Sequence, residues 1–164
     1  MNYQSSIDYL FGLQRFGIKL GLHNITQILK HLGNPHRSLN CIHVAGSNGK
    51  GSTCALLHTV LKEAGYRTGL YTSPHLIDFS ERIQICQKPI SRRRVAEMTG
   101  ALKKICEQKG LTAVTFFEFV TAMAFLYFYE EKADPVVVET GLGGTYDATN
   151  VIHPLVSIIT SISR

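Results

Sequence analysis

Cys41-Ile42-His43-Val44-Ala45-Gly46-Ser47-Asn48-Gly49-Lys50-Gly51-Ser52-Thr53 is the stretch that decides the fold. Its first part, with Asn40 in front, is short, apolar and β-branched, as suits a strand buried inside a parallel sheet. It runs straight into a glycine-rich turn, after which a helix reads to about Ala64, with Gly65 as its stop. A strand feeding such a turn gathers backbone N–H groups and the positive end of a helix dipole around one point, which is a phosphate site by construction. Gly46, Gly49 and Lys50 are its core. The general phosphate-loop pattern asks for Gly at position 44 and Ser or Thr at position 51, whereas this chain has Val44 and Gly51. The hydroxyl after the lysine normally helps hold Mg²⁺, so with Gly51 there a metal must find oxygen ligands elsewhere.

Outward from the loop, residues 67–72 read as a second strand and 134–139 as a buried strand ending in Glu139, followed by Gly141-Leu142-Gly143-Gly144. A last strand reads over 155–162. Helical spacing recurs over 91–109 and 116–132, and residues 5–32 read as two short helices around a glycine-bearing loop, ended by Gly33-Asn34-Pro35. Arg82 to Cys86 alternates as a short exposed strand should. Strands alternating with helices predict an α/β fold, a parallel sheet flanked by helices and wound by right-handed crossovers. Ser73 and Glu139 each close a predicted strand at its C-terminal end, the edge where open parallel sheets gather ligands, and are the candidate Mg²⁺ ligands. Read alone, Ser73 before Pro74 equally starts a turn, and Glu139 is an ordinary strand-end carboxylate.

With 164 residues, 45% hydrophobic and 18% charged, the chain can bury the core of one α/β domain and is no disordered tail. A net charge of +5 favours anionic partners such as nucleotides, phosphates or carboxylates. Nucleic acid is disfavoured, because Arg92-Arg93-Arg94 opens a helical pattern through Val95, Met98, Leu102 and Ile105 instead of spreading along a groove with aromatics. Cys41, Cys54, Cys86 and Cys106 lack the paired spacing of a zinc or redox motif and read as reduced thiols in a cytoplasmic protein. The start shows no signal peptide, and the longest apolar region, 116–129, is interrupted by Glu118 and Thr121 and is too short to span a membrane. The histidines show no paired metal spacing and read as structural or surface groups, with His75 alone beside the proposed metal loop.

The loop 43–52 resembles the ATP loop of the Mur ligase superfamily, in its folylpolyglutamate synthase and dihydrofolate synthase branch. Thr72-Ser73-Pro74-His75-Leu76, Ser80-Glu81-Arg82-Ile83, Thr115-Phe116-Phe117-Glu118, and Glu139-Thr140-Gly141-Leu142-Gly143-Gly144 with Asp147-Ala148-Thr149-Asn150 resemble that branch in the same order. Gly51 and these later segments favour it over the cell-wall ligases, whose lysine is usually followed by Thr. The resemblance implies that Ser47, Asn48, Gly49, Lys50, Gly51 and Ser52 bind ATP, with Lys50 catalytic and Ser73 and Glu139 holding Mg²⁺. It also places Arg15, Phe16, Gly17 and Ile18, Thr115, Phe116, Phe117 and Glu118, and Tyr146, Asp147 and Ala148 around a pterin-bearing substrate. Thr115 and Glu118 read independently as a helix capping box. Two departures stand out: Thr145-Tyr146 replaces an Arg followed by an aliphatic residue, and Ser47 replaces Thr.

The activity so implied is ATP-dependent addition of L-glutamate to dihydropteroate or a reduced folate through an acyl phosphate, by a cytoplasmic monomer that uses neither membrane nor nucleic acid. Residues 1–38 would be a helical lead-in, and 39–164 the first portion of the ATP-binding domain of Mur-ligase type. That family continues past the position of Arg164 with Asp-His, a modified lysine and a C-terminal glutamate-binding domain. The chain therefore reads as incomplete and is expected to form no amide product by itself. Other readings of the loop are a cell-wall ligase, a small P-loop kinase or NTPase, and a non-catalytic nucleotide-binding module that works through a partner chain.

Overall fold

Val136-Val137-Val138 and Cys41-Ile42-His43-Val44 carry apolar side chains for both faces of a sheet, and both segments lie at its centre. The computed structural model describes residues 1–17 and 21–163. Its helices are α1 (Tyr3–Gly12), α2 (His23–His31), α3 (Lys50–Glu63), α4 (Arg92–Gln108) and α5 (Phe116–Glu130). Its strands are β1 (Cys41–Ala45), β2 (Gly69–Tyr71), β3 (Ile83–Ile85), β4 (Lys88–Pro89), β5 (Val136–Glu139) and β6 (Val156–Ile159). They form a six-stranded sheet in the order β4-β3-β2-β5-β1-β6.

The four strands β2, β5, β1 and β6 are parallel, as the alternation of strands and helices predicts. β3 and β4 add an antiparallel edge. The segment between β2 and β3 holds only a short 3-10 turn, Phe79–Arg82, so the chain doubles back beside β2 instead of crossing over. The strand expected to be exposed at 82–86 buries Ile83 and Ile85 and keeps only Gln84 and Cys86 partly open.

Helices cover the two faces unequally. On one, α1, α2, α4 and α5 enclose a large core that includes Leu10, Ile28, Leu29, Leu102, Phe119 and Phe125. α5 runs through its middle, which is why its sequence is apolar nearly all round. On the other face, among the described residues, α3 lies alone over Val44, Leu70 and Val137. Local signals set the helix starts: Asn2, Ser91 and Thr115 each accept a backbone N–H of the first turn, and Thr115 with Glu118 completes the expected capping box. Where α5 crosses β2, a side chain on Gly69 would stand 2.9 Å from the Phe128 ring, so that contact requires glycine. Among the described residues no helix is long and apolar enough to cross a membrane.

His36, in a short turn ahead of β1, is buried against the Phe125 ring, and its Nδ1 has no hydrogen-bond partner. Burial pulls its pKa down from 6.5 to about 4. The unfolded chain therefore takes up this proton first as pH falls, and stability drops from about pH 6.5 toward about pH 4. Burial acts in the same direction on His43 and His58. Thermal midpoints measured across that range should fall for the parent, and less steeply for His36→Gln; parallel curves would contradict the assignment.

Candidate functional site

The turn after β1 is shaped by a close approach. Gly46 has φ +141°, and a side chain there would overlap Thr160 Oγ1 and stand 3.1 Å from Thr160 Cβ at the end of β6. Beyond it the N–H groups of Ser47 and Asn48 donate to the Ser161 carbonyl at 2.9 and 3.3 Å. Ser163 N–H donates to Ser47 Oγ at 3.2 Å, and Asn48 Nδ2 donates to Ser163 Oγ at 3.3 Å. The front of the loop is thus tied to the chain that follows β6. Gly49, left-handed at φ +81°, starts α3 without a side-chain cap. The N–H groups of Gly49, Lys50, Gly51 and Ser52 therefore point past the helix end with no intrahelical acceptor, at the positive end of its dipole. Of the six residues expected to bind ATP, these four offer free amides, while the amides of Ser47 and Asn48 are engaged.

Lys50 Nζ folds back over the loop and donates to the Gly46 carbonyl at 2.8 Å. Facing it, Glu139 ends β5 in register with Val44 of β1, 5% exposed. Its Oε2 accepts the Ser73 N–H at 3.0 Å, and its Oε1 lies 3.7 Å from where a side chain on Gly51 would begin. Glu139 thus stands at van der Waals distance from the bare backbone of Gly51. Burial raises the Glu139 pKa, opposed by the Ser73 N–H and the Lys50 charge. Lys50, Gly51, Ser73 and Glu139 thus converge at the ends of β1, β2 and β5. Among the described residues no three His, Cys, Asp or Glu side chains cluster as a metal cage. One carboxylate with a neighbouring hydroxyl suits a hard cation that completes its shell with phosphate and water.

Beside this corner opens a cavity of about 350 Å³. Thr115, Phe116, Phe117 and Glu118, together with Tyr146, Asp147 and Ala148, line it, as does Ser73. Of the described residues in the expected set at 15–18, only Gly17 reaches it. Arg15 and Phe16 line a separate cavity of about 250 Å³, with the Arg15 guanidinium 4.9 Å from the Phe16 ring centre. Ile18 lies outside the described residues. Leu13–Phe16 is a 3-10 turn, in which positions three apart share a side; that phase turns Gln14 toward the cavity together with Gly17 and sends Arg15 and Phe16 away. Gln14, Gly21, Pro74, Arg82, Gly141 and Leu142 are wall residues that sequence reasoning assigned no such place. Pro74, Arg82, Gly141 and Leu142 stood in segments that resemble the family, whereas Gln14 and Gly21 carried no signal.

Two of the expected substrate residues also hold the walls in shape. Glu118 Oε2 accepts from Thr115 N–H at 2.8 Å, from its hydroxyl at 2.9 Å and from Asn24 Nδ2 at 3.3 Å. Asp147 accepts the N–H groups of Gly141 and Leu142, both at 2.8 Å, on one oxygen and the N–H and hydroxyl of Thr149 on the other, and Thr149 Oγ1 meets His43 Nε2 at 2.8 Å. Gly141 is glycine because a side chain would stand 2.6 Å from the Phe117 ring. His75 Nδ1 accepts a hydrogen bond from Arg82 Nε at 2.7 Å.

A glycine loop between the first strand and α3, with a carboxylate closing the neighbouring strand, defines a P-loop-type α/β fold of the Mur ligase kind. No protein-family model matches the chain. Over 166 residues it is 44% identical to the dihydrofolate synthase/folylpolyglutamate synthase of Bacillus subtilis, a match covering 99% of this chain and 39% of that protein. The crystal structure of folylpolyglutamate synthase from Thermotoga maritima superposes with a TM-score of 0.91 at 42% identity, over 99% of this chain and 38% of that one. A folylpolyglutamate synthase complex with AMPPCP and folate superposes at 0.90 and 36% identity, over 100% of this chain and 41% of that one. The chain is a homologue of the folylpolyglutamate and dihydrofolate synthases, and it spans about two fifths of the length of these relatives.

Gly46→Ala should lower stability by about 1–3 kcal/mol through overlap with Thr160, measured by urea unfolding. Gly144→Ala, where a side chain meets nothing within 4 Å, should stay within about 0.5 kcal/mol. Equal effects of the two would refute the packing account.

Proposed function

We propose that this chain carries the phosphate loop and the pterin cavity of an ATP-dependent ligase that joins L-glutamate to dihydropteroate, to reduced folates, or to both. The observation that carries the reading is a shared wall. Ser73 lines the cavity, and its N–H holds Glu139, whose carboxylate lies against Gly51 of the loop. A substrate in the cavity and a nucleotide on the loop would therefore meet at one point. The names of the relatives and the complex with AMPPCP and folate support this pairing of ligands.

Amide formation from a carboxylate is uphill in water, so the carboxylate is first phosphorylated by ATP and the amine of glutamate then displaces phosphate from the acyl phosphate. The protein's part is positioning and charge neutralisation. In this reading the amides of Gly49 to Ser52 hold the terminal phosphates. Lys50 exchanges the Gly46 carbonyl for a phosphoryl oxygen, and Phe116 and Phe117 flank the pterin ring. Ser73 and Glu139 would hold Mg²⁺, which when bound offsets charge on the phosphate oxygens. A bound cation also compensates the buried Glu139 carboxylate.

We further read residues 1–38 as a helical lead-in and 39–164 as part of the ATP-binding domain, with the glutamate site in the length of the relatives that this chain does not span. Four unpaired cysteines, three of them buried, support a reducing, cytoplasmic setting.

Lys50→Ala in the complete protein should lower the rate of amide formation by roughly a thousandfold or more, because a charged donor at the transferring phosphoryl is lost. Coupled detection of phosphate release with dihydropteroate and with a reduced folate would show it. A variant within about tenfold of the parent would refute the role of the loop.

A further inference from the structure

Arg82 is 7% exposed, and among the described residues no carboxylate pairs with it. Four other arginines do find acids at the surface: Arg67 pairs with Glu131, Arg92 with Asp78, Arg93 with Glu97, and Arg94 with Glu97 and Glu130. The acids nearest Arg82 in sequence are already committed. Asp78 binds Arg92, Tyr3 and Ser80, and Glu81 accepts the N–H groups of Leu76, Ile77 and Asp78. Among the described residues the one side-chain hydrogen bond of Arg82 runs from Nε to His75 Nδ1 at 2.7 Å, which spends one of five donors and leaves those on the two terminal nitrogens free. A guanidinium stays protonated however deeply it lies, although burial does lower its pKa here. A buried cation without an anion is costly, so one that persists in a cavity wall marks where an anion goes.

The surroundings say which kind. The guanidinium lies 5.2 Å from the centre of the Phe116 ring, whose other contacts include the stacked Phe11 ring at 5.8 Å, so it packs over an aromatic pair. Thr72 N–H donates to the Arg82 carbonyl at 3.0 Å, which places Arg82 beside the end of β2 and hence beside Ser73, where the cavity meets the phosphate corner. A fixed, planar fork with two free terminal nitrogens matches a carboxylate. We infer that Arg82 binds the carboxylate of the substrate in the 350 Å³ cavity, holding it at the Ser73 end with the pterin ring among the aromatics. The inference rests on the ligase reading above and assigns that reading its carboxylate-binding residue.

The test uses the complete protein and two ligands, dihydropteroate and its carboxamide analogue, with binding followed by calorimetry and AMPPCP binding as the control for folding. The parent should bind the carboxylate at least about tenfold more tightly than the carboxamide, since a site built to hydrogen-bond a group rejects an analogue that cannot match it. In Arg82→Gln that preference should vanish while AMPPCP affinity is unchanged. Arg82→Lys, which keeps the charge and loses the fork, should retain a preference reduced about threefold or more, and it decides the matter should the Gln variant fail to fold. An undiminished preference in either folded variant overturns the role of Arg82 while leaving the ligase reading standing, as does a parent that binds both ligands equally. A parent that binds AMPPCP but neither pterin ligand overturns the ligase reading and this inference together.

Discussion

The hydrogen bond from Ser73 N–H to the buried Glu139 carboxylate joins the ends of two neighbouring parallel strands and sets the geometry around it. Glu139 is held where its charge is poorly solvated, beside the Lys50 charge and against the bare backbone of Gly51. A side chain at position 51 would begin in van der Waals contact with that carboxylate. On its other side the same bond fixes Ser73, and with it the cavity wall that Pro74 and Arg82 continue. Loop and cavity are thus parts of one structure, and a shift of the strand end would disturb both.

A second network steadies the opposite wall. Asp147 draws the glycine-rich segment after β5 into a turn through the amides of Gly141 and Leu142, and passes its hold on through Thr149 to His43 in β1. Both oxygens of this carboxylate are engaged in shaping backbone. Its place in the cavity is therefore that of a scaffold whose neighbours, Tyr146 and Ala148, present their surfaces inward. Glu118 works in the same way at the start of α5, where a capping box and a cavity wall coincide.

The elements legible in the sequence were those whose evidence is local. Continuous apolar runs marked β1 and β5, the glycine turn marked the start of α3, and Thr115 with Glu118 marked the start of α5. The hairpin of β3 and β4 was legible only as an alternating stretch, because its antiparallel pairing depends on a turn between β2 and β3 too short to cross the sheet. The site divides along the same line. Loop residues adjacent in sequence were found together, while the cavity is assembled from five separate stretches, and a 3-10 turn shifted the phase by which Gln14 faces inward and Arg15 does not. Arg82 stood in a segment that matched the family, but that it lies buried without a counter-ion among the described residues is a property of the folded chain alone.

The tether between the loop and the segment after β6 makes the two thermodynamic partners. Ser161 and Ser163 satisfy amides and a hydroxyl of Ser47 and Asn48 that a phosphate would otherwise solicit. Coupling of this kind is reciprocal: whatever restrains the backbone beyond β6 also sharpens or blunts the loop's grip on an anion, and an anion drawn into the loop transmits the same free energy outward. Residues with no contact to nucleotide can in this way tune its affinity.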